Sequence, residues 1–537
     1  MFVSGWRDRG FAALAQPLDV LVIGGGITGA GVLHDAALRG LRVALVERGD
    51  FASGTSSRSS KLVHGGLRYL KRMQLRITRM ACRERDLLAL HNPHLVAAVR
   101  FLYPSYEDDR TPGWQVDLGL SMYDHLTPVR HRHERIDAAA VRATIPGILA
   151  RGLEYGLVYD DAVGDDARLV LHVTMAGVLA GGTALSYAPA VELLRDGDRV
   201  VGARVHDLET GAVHEIRAAV VVNATGVWCD EVRALLGSGG ARLRPSRGSH
   251  LLFPRTRLPL EVAVTGLSPD DGRPVFAVPH PEGTLVGTTD LFHEGPIDGA
   301  RPSRDEAGYL LRFARHAFPG ARLTAADVSG SFAGVRPILD TGASSPSAAS
   351  REEAVWVEDG LVSTAGGKLT TFRATAEKVV DALLELLPDE RRNEALPSFS
   401  AAVSLPWRCD PVAAVEALVH LGAGEAVAPG MVRRLGVAAL AAAHAAPPEA
   451  LVPLAEDLDV CAAELQWHVR CGAVVHLEDL LLRRVRLGMW QPRRCLEIAP
   501  GLRRVVRRAA GWSVARWNAE LRRLEPAVAN WLPPEAT

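Results

Sequence analysis

The stretch "DVLVIGGGITGAG", Asp19 to Gly31, decides how the rest of the chain is read. Its apolar run, Val20 to Ile23, stops abruptly at glycines. "ITGAGVLHDAALRG" then reads as a helix ended by Gly40, and "LRVALVERGD" as a second buried strand closing on Glu47. Strand, Gly24-x-Gly26-x-x-Gly29, helix, strand and acidic residue fall within about thirty residues, the order a dinucleotide-binding unit requires. Gly24 serves the tight turn, Gly26 the approach of backbone to a pyrophosphate, and Gly29 the close packing of helix on strand. Unpaired N–H groups at the helix start attract the anion, and Glu47 suits a ribose diol.

Two further elements favour a flavin over a nicotinamide. "AAVVVNATGVWCD", Ala218 to Asp230, is an apolar strand closing on the small-residue turn Ala224-Thr225-Gly226. Flavoproteins built on two dinucleotide folds pack a returning strand of this kind against the cofactor. "GLVSTAGGKLTTFRATAEKVVDALLELL" starts as a strand and turns through Gly366-Gly367-Lys368. It then enters an amphipathic helix with Thr370 and Thr371 in its first turn. A helix start with free N–H groups suits the electron-rich pyrimidine end of a flavin. Taken singly, either element also reads as plain scaffold.

The whole chain bounds these readings. Its 537 residues suffice for two or three domains with a sizeable core. A net charge of -1 gives no field suited to nucleic acid. The six cysteines (Cys82, Cys229, Cys409, Cys461, Cys471, Cys495) are scattered without a Cys-x-x-Cys pair. Neither an iron–sulfur cluster nor a zinc site is expected, no metal is expected at all, and a reducing compartment fits best. The N-terminus has no apolar core of a signal peptide, and no run approaches the roughly twenty apolar residues of a spanning helix. Contact with a membrane would therefore be from one side.

Downstream of the first landmark, "SSRSSKLVHGGLRYL", Ser56 to Leu70, sets Lys61, His64, Arg68 and Tyr69 around Gly65-Gly66. It is too polar for a core strand and too glycine-rich for a helix interior. This stretch joins "VIGGGITGAG", "MYDHL", "DDARLVL", "VNATGVW", "GSHLLFP", "GTTD", "GVRPILD" and "GGKLTTFR" in one order along the first 380 or so residues. Together they resemble the FAD-dependent (aerobic, quinone-linked) glycerol-3-phosphate dehydrogenase family, glutathione-reductase-like flavoproteins that oxidise small hydroxy and amino compounds. The later "EDLLLRRVRLGMW", Glu478 to Trp490, is similar to that family's C-terminal helical domain. The additional cysteine motifs and EF-hand loops of some members are missing.

The resemblance implies an α/β protein with a glutathione-reductase-like FAD-binding fold, an inserted antiparallel-sheet substrate domain and a C-terminal α-helical domain. The FAD-dependent region would span 1–395, with FAD-binding parts at about 17–75, 150–245 and 330–395. Substrate-domain parts would lie at about 76–149 and 246–329, and the helical domain at 396–537. "RPVFAVPHPEGTLVGTTDLFHEGP" agrees with an antiparallel sheet over the flavin. The implied cofactor contacts are Gly24, Gly26, Gly29, Glu47, Thr55, Ser56, Ser60, Ala224, Gly226, Gly367, Lys368, Leu369 and Thr370. The implied substrate-binding residues are Arg68, Tyr69, Arg336, Arg351 and His250, with Lys368 also lining the pocket. The implied reaction is oxidation of sn-glycerol 3-phosphate to dihydroxyacetone phosphate by hydride transfer to FAD. Electrons would pass to ubiquinone or menaquinone from a peripheral site on the cytoplasmic face of the inner (plasma) membrane. A homodimer is one assembly left open.

The residues themselves suit that chemistry. A phosphate monoester carries close to two negative charges at pH 7, and arginine matches its oxygens in bidentate fashion. Arg336 is the strongest clamp, since it ends an expected strand and Pro337 fixes the backbone beside it. His64 is the expected base because its free pKa lies nearest neutrality. It could instead brace the loop or bond the flavin edge, and His250 is the alternative base. Lys368 would stabilise an anionic reduced ring near N1/O2, and Gly65-Gly66 would let the loop pass close beneath it. An oxygen-using oxidase is the second reading, although no extra insertion is evident. A non-catalytic flavin-binding protein would not need Arg68, His64, Arg336 and Lys368 together. "YEDD" at 106–109 and "RHRHER" at 130–135 read as solvated loops, with no metal expected at His131 and His133. The basic run from Leu67 to Leu88 reads either as a bilayer-surface segment or as an ordinary helix facing water and protein.

Overall fold

The computed structural model describes residues 2–66, 74–127, 132–237, 240–346 and 353–534. Two sheets carry the site. The first runs in the order 354–358, 361–365, 213–223, 18–23, 43–46, 183–185. Leu18–Ile23 lies at its centre, parallel to both neighbours, with all six residues buried. A strand buried on both faces needs an uninterrupted apolar run, which is why this sequence shows no alternation. Helices Ile27–Leu38, Asp166–Leu179 and Phe372–Leu384 pack together against it. Small residues let them close up: a Cβ on Gly31 would sit 3.0 Å from that of Ala376, and one on Gly177 2.7 Å from Leu33 Cγ. The start of Val213–Asn223 also pairs antiparallel with the hairpin Ala190–Asp196 and Arg199–His206.

Among the described residues the second sheet has ten strands, all antiparallel to their neighbours except Ala263–Leu267 on Val96–Tyr106. Three of its strands, Leu62–Val63, Leu153–Gly164 and Gly330–Arg336, fall in the segments that the sequence reading assigns to the nucleotide-binding parts. Leu153–Gly164 pairs with Val96–Tyr106 and Glu134–Asp137, Gly330–Arg336 pairs with Ser246–Pro254, and Leu62–Val63 pairs with Leu153–Gly164. An apolar run announces a strand without naming its partner, and here the partners lie far away in sequence. Leu153–Gly164 then leads directly into helix Asp166–Leu179 on the first sheet, so one continuous segment belongs to both layers.

From Pro411 the chain is helical. Its core around Leu480, Trp517 and Trp531 meets the second sheet at Phe332 of Gly330–Arg336. Ser331 N–H donates to Trp531 O at 2.7 Å.

One loop expectation changes. His133 is not solvated: its ring nitrogens lie 2.7 Å from Asp124 and 2.6 Å from Asp117, and Glu134–Asp137 is a strand. The nearby aspartates were invisible as partners because they sit on another element, helix Gly113–Leu126. His131 lies outside the described residues. Of the basic run, residues 74–88 are described, and from Leu75 on they belong to helix Leu75–His91, with Glu84 and Arg85 buried. Arg85 pairs with Asp161, and Glu84 with Arg373, so one charged face is turned into the protein. Among the described residues no helix is long and apolar enough to cross a membrane.

Candidate active site

The nucleotide turn is built by steric exclusion. Gly24 has φ +111° and its N–H donates to Val46 O at 2.8 Å. A Cβ there would stand 2.7 Å from Ala224 O, and one on Gly29 only 1.9 Å from Gly24 O. The turn Ala224-Thr225-Gly226 is thus pressed against the glycine turn, while Gly226 itself faces open space. Ser56 Oγ accepts from the N–H of Ile27 at 3.0 Å, at the first residue of the helix. The Glu47 carboxylate accepts from Gly25 N–H at 2.6 Å and Gly49 N–H at 2.8 Å. Burial raises its pKa, and those two amides oppose the rise.

A cavity of about 510 Å³ adjoins this turn, lined by Arg48, Gly54, Thr55, Val227, Trp228 and Val335 among others. Arg48 lies over the Trp228 ring at 4.1 Å. A glycine cradle that any Cβ would fill, a helix start, an acidic residue at the strand end and an adjoining cavity together fit a dinucleotide such as FAD.

One segment, residues 55–64, threads the remaining parts. Thr55 Oγ1 donates to Val335 O at 2.6 Å, next to Arg336. Ser60 Oγ is 2.8 Å from His250 Nε2. His64 N–H donates to Thr370 Oγ1 at 3.1 Å. This last bond joins the Ser56–Leu70 stretch to Thr370, just past the Gly366-Gly367-Lys368 turn and 306 positions away. Gly366 and Gly367 both have positive φ, and the helix begins at Phe372 with Thr371 at its N-cap. Thr370 and Thr371 therefore precede the helix rather than form its first turn, because the double-glycine turn delays its start. Lys368 lies within that turn, and Leu369 packs on the cluster containing Ile27 and Phe372.

Gly65 has a reason the sequence did not reveal. A Cβ would lie 2.3 Å from Tyr123 Oη and 2.4 Å from Cys82 Sγ. Its N–H donates to Tyr123 Oη at 2.9 Å and to Asp161 at 3.3 Å. Arg85 holds both of those acceptors, at 3.0 and 2.9 Å. The glycine is demanded from the protein side of the loop.

Arg336 ends Gly330–Arg336 and lies across Gly248, where a Cβ would be 2.0 Å from its Nη2. It donates to Asp290 at 3.1 Å and to Thr288 Oγ1 at 3.0 Å. Ser246 Oγ donates to the same Asp290 oxygen at 2.7 Å. Behind them Glu306 accepts from Ser249 Oγ at 2.8 Å and Thr289 Oγ1 at 2.7 Å. Asp290 and Glu306 were missed as supports, although "GTTD" and "GSH" already marked the segments that meet there.

His250 is buried and stacks on Phe332, ring centroids 4.6 Å apart. Burial, helped by Arg336 and Lys61, pushes its pKa well below the ordinary value, so the ring is neutral. Among the described residues its Nδ1 has no hydrogen-bond partner. Of the expected pocket, the structure brings His250 to Ser60 and His64 to Thr370. Arg68, Tyr69 and Arg351 lie outside the described residues.

Comparison with known proteins agrees with this architecture. Residues 19–382 match the FAD dependent oxidoreductase family, and 410–517 match the C-terminal domain of alpha-glycerophosphate oxidase. The chain is 37% identical over 554 residues to "Glycerol-3-phosphate dehydrogenase 2" of Mycobacterium tuberculosis, covering 99% of this chain and 91% of that one. It is 37% identical over 402 residues to the aerobic glycerol-3-phosphate dehydrogenase of Bacillus subtilis, covering 74% and 72%. The crystal structure of the glycerol-3-phosphate dehydrogenase from Bacillus halodurans complexed with FAD superposes over 100% of both chains, with TM-score 0.82 and 28% identity. The chain therefore belongs to the FAD-dependent oxidoreductases, in the branch of the glycerol-3-phosphate dehydrogenases, and its cofactor is FAD.

Proposed function

We propose that the protein oxidises sn-glycerol 3-phosphate to dihydroxyacetone phosphate and passes the electrons to a membrane quinone. FAD supplies the hydride acceptor when bound. The observation that carries the reading is the meeting of segment 55–64 with the strand of Arg336 and with the Gly366–Thr371 turn. That arrangement sets an anchored guanidinium, a histidine and a cofactor-side turn around one loop, in a chain whose near full-length relatives bear the dehydrogenase name.

In this reading Arg336 takes the substrate phosphate. Asp290 and Thr288 fix the guanidinium plane, which is what a bidentate phosphate contact needs. By resemblance, Arg68 and Arg351 are proposed as further phosphate ligands and Tyr69 as a pocket residue. His64 removes the C2 hydroxyl proton, its backbone held by Thr370 so that the side chain's origin is fixed. His250, desolvated and engaged by Ser60 and Phe332, serves to position the loop rather than to exchange protons. Lys368 places a cation beside the turn that faces the pyrimidine end of the cofactor.

The acceptor is proposed to be ubiquinone or menaquinone, reached from the cytoplasmic face of the inner membrane. One observation favours a second reading: the C-terminal region matches a domain named for an oxidase, for which oxygen would be the acceptor. Anaerobic addition of glycerol 3-phosphate should bleach the flavin absorbance of the purified protein. Rapid recovery with a short-chain quinone supports the dehydrogenase, and faster recovery with oxygen supports the oxidase. No bleaching with FAD bound would refute the substrate.

A further inference from the structure

The C-terminal region reaches the segment that follows the nucleotide turn through three arginines in four positions, Arg483, Arg484 and Arg486, on and just after the wide turn Asp479–Arg484. Arg484 grips Asp50 with both ends of its fork, at 2.7 and 2.8 Å, and Arg483 bonds the same carboxylate. Arg486 donates to Asp165 at 2.8 Å, to Asp166, and to Ser57 O at 3.2 Å. Asp166 in turn accepts from Lys61 Nζ at 2.7 Å, from Ser59 N–H at 2.9 Å and from Ser59 Oγ at 2.7 Å.

The places these bonds fall matter more than their number. Asp50 stands three positions after Glu47. Ser57, Ser59 and Lys61 flank Ser60, and Ser56 sits on the start of the nucleotide helix. The two ends of segment 50–61 are thus held by side chains encoded more than 400 residues later. The side chains of Asp50, Asp166, Arg484 and Arg486 are at most 1% exposed. Charges so desolvated are costly unless paired, and removing one partner leaves the other uncompensated. General cohesion between domains would be served as well by apolar contact, which the Phe332–Trp531 region already provides. Buried ion pairs aimed at a cofactor loop fix its position, since their energy falls steeply when geometry is lost.

We infer that Arg484 and Arg486 are positioning residues for FAD: from the C-terminal region they fix both ends of segment 50–61, so that cofactor affinity depends on this interface as well as on the glycine turn. This inference rests on FAD as the cofactor and not on the identity of the substrate.

The test is the dissociation of FAD from the holoenzyme, read as the flavin fluorescence that appears on dilution. Arg486→Met and Arg484→Met should each raise the Kd for FAD by about tenfold or more and shift the visible band of the bound flavin. Arg486→Lys keeps a cation beside Asp166 but loses the reach to Asp165 and Ser57, and should fall between. The control is Arg434→Met, which breaks the buried pair with Glu464 inside the C-terminal region. It should lower the thermal midpoint while leaving the Kd within about twofold. Folded Arg484 and Arg486 variants that bind FAD like the unaltered protein would overturn the inference. So would equal loosening by Arg434→Met, because the effect would then be general destabilisation. Should both methionine variants fail to fold, an unaltered Kd and spectrum in Arg486→Lys would overturn it alone. A holoenzyme that keeps FAD but is not reduced by glycerol 3-phosphate would sink the substrate assignment and leave this inference standing.

Discussion

The backbone N–H of His64 donates to Thr370 Oγ1 at 3.1 Å, tying the loop before Gly65 to the turn before helix Phe372–Leu384. If His64 is the base, its distance from the substrate carbon is set through this bond. Thr370→Val should lower the rate of flavin reduction by glycerol 3-phosphate about tenfold, with a smaller change in KM. His64→Asn should lower it by roughly 10²- to 10⁴-fold. Stopped-flow reduction measures both. Equal, mild effects of the two changes would make His64 a brace.

Arg336 makes the second prediction. Removing a group that binds a dianion should cost about 2–5 kcal/mol, so Arg336→Ala should reduce kcat/KM for glycerol 3-phosphate by roughly 30- to several-thousand-fold. Glycerol, which lacks the phosphate, should lose far less. Asp290→Asn keeps the arginine but frees its plane, and should mainly raise KM. Matching losses on the two substrates would remove the phosphate role.

Gly65 and Gly226 make a contrasting pair. At Gly65 an added methyl meets Tyr123 and Cys82 in a buried site, so Gly65→Ala should destabilise by about 1–3 kcal/mol and displace the His64 loop. At Gly226 the methyl meets nothing within 4 Å, and only the left-handed φ of +62° opposes it. That costs about 1 kcal/mol. Thermal midpoints of the two variants, each measured free of FAD, should rank accordingly. The reverse ranking would refute the steric account of Gly65.

His476 supplies a pH dependence. Burial alone would lower its pKa, but bonds to Glu209 and Glu520 prevail and raise it to about 9. A histidine whose folded pKa exceeds its unfolded value of about 6.5 stabilises fully below pH 6.5 and progressively less as pH rises through 9. The folded state should lose on the order of 3 kcal/mol across that window. Thermal midpoints of the native protein and of His476→Gln, followed from pH 6 to 10, should converge at the alkaline end. Parallel curves would show that the clasp contributes nothing.

What the sequence disclosed follows from the range of each interaction. Gly24, Gly26, Gly29 and Glu47 act within one strand–helix–strand unit, so their spacing alone announces the turn. Ala224-Thr225-Gly226 and Gly366-Gly367-Lys368 were visible as turns closing apolar strands. The supports of the site were hidden because each spans the fold: Asp290 is 46 positions from Arg336, and Asp161 is 96 from Gly65. Gly330–Arg336 was legible as a strand ending at Arg336 but not as a member of the second sheet, and Leu153–Gly164 was not read as a strand at all. His133 misled because charged neighbours in sequence suggest solvent, while its true partners, Asp117 and Asp124, come from a helix.

The bond between Arg484 and Asp50 joins positions 434 residues apart. During synthesis Asp50 emerges long before its counter-ion exists. At about 5–20 residues per second the interval is roughly 20 to 90 seconds. Throughout it the segment carrying Thr55 and Ser56 has no arginine to hold it, although the glycine turn is already complete. On the inference above, firm capture of FAD would have to wait until the ribosome has delivered Arg484 and Arg486. A nascent chain stalled before Arg483 would carry the nucleotide signature and hold its cofactor weakly.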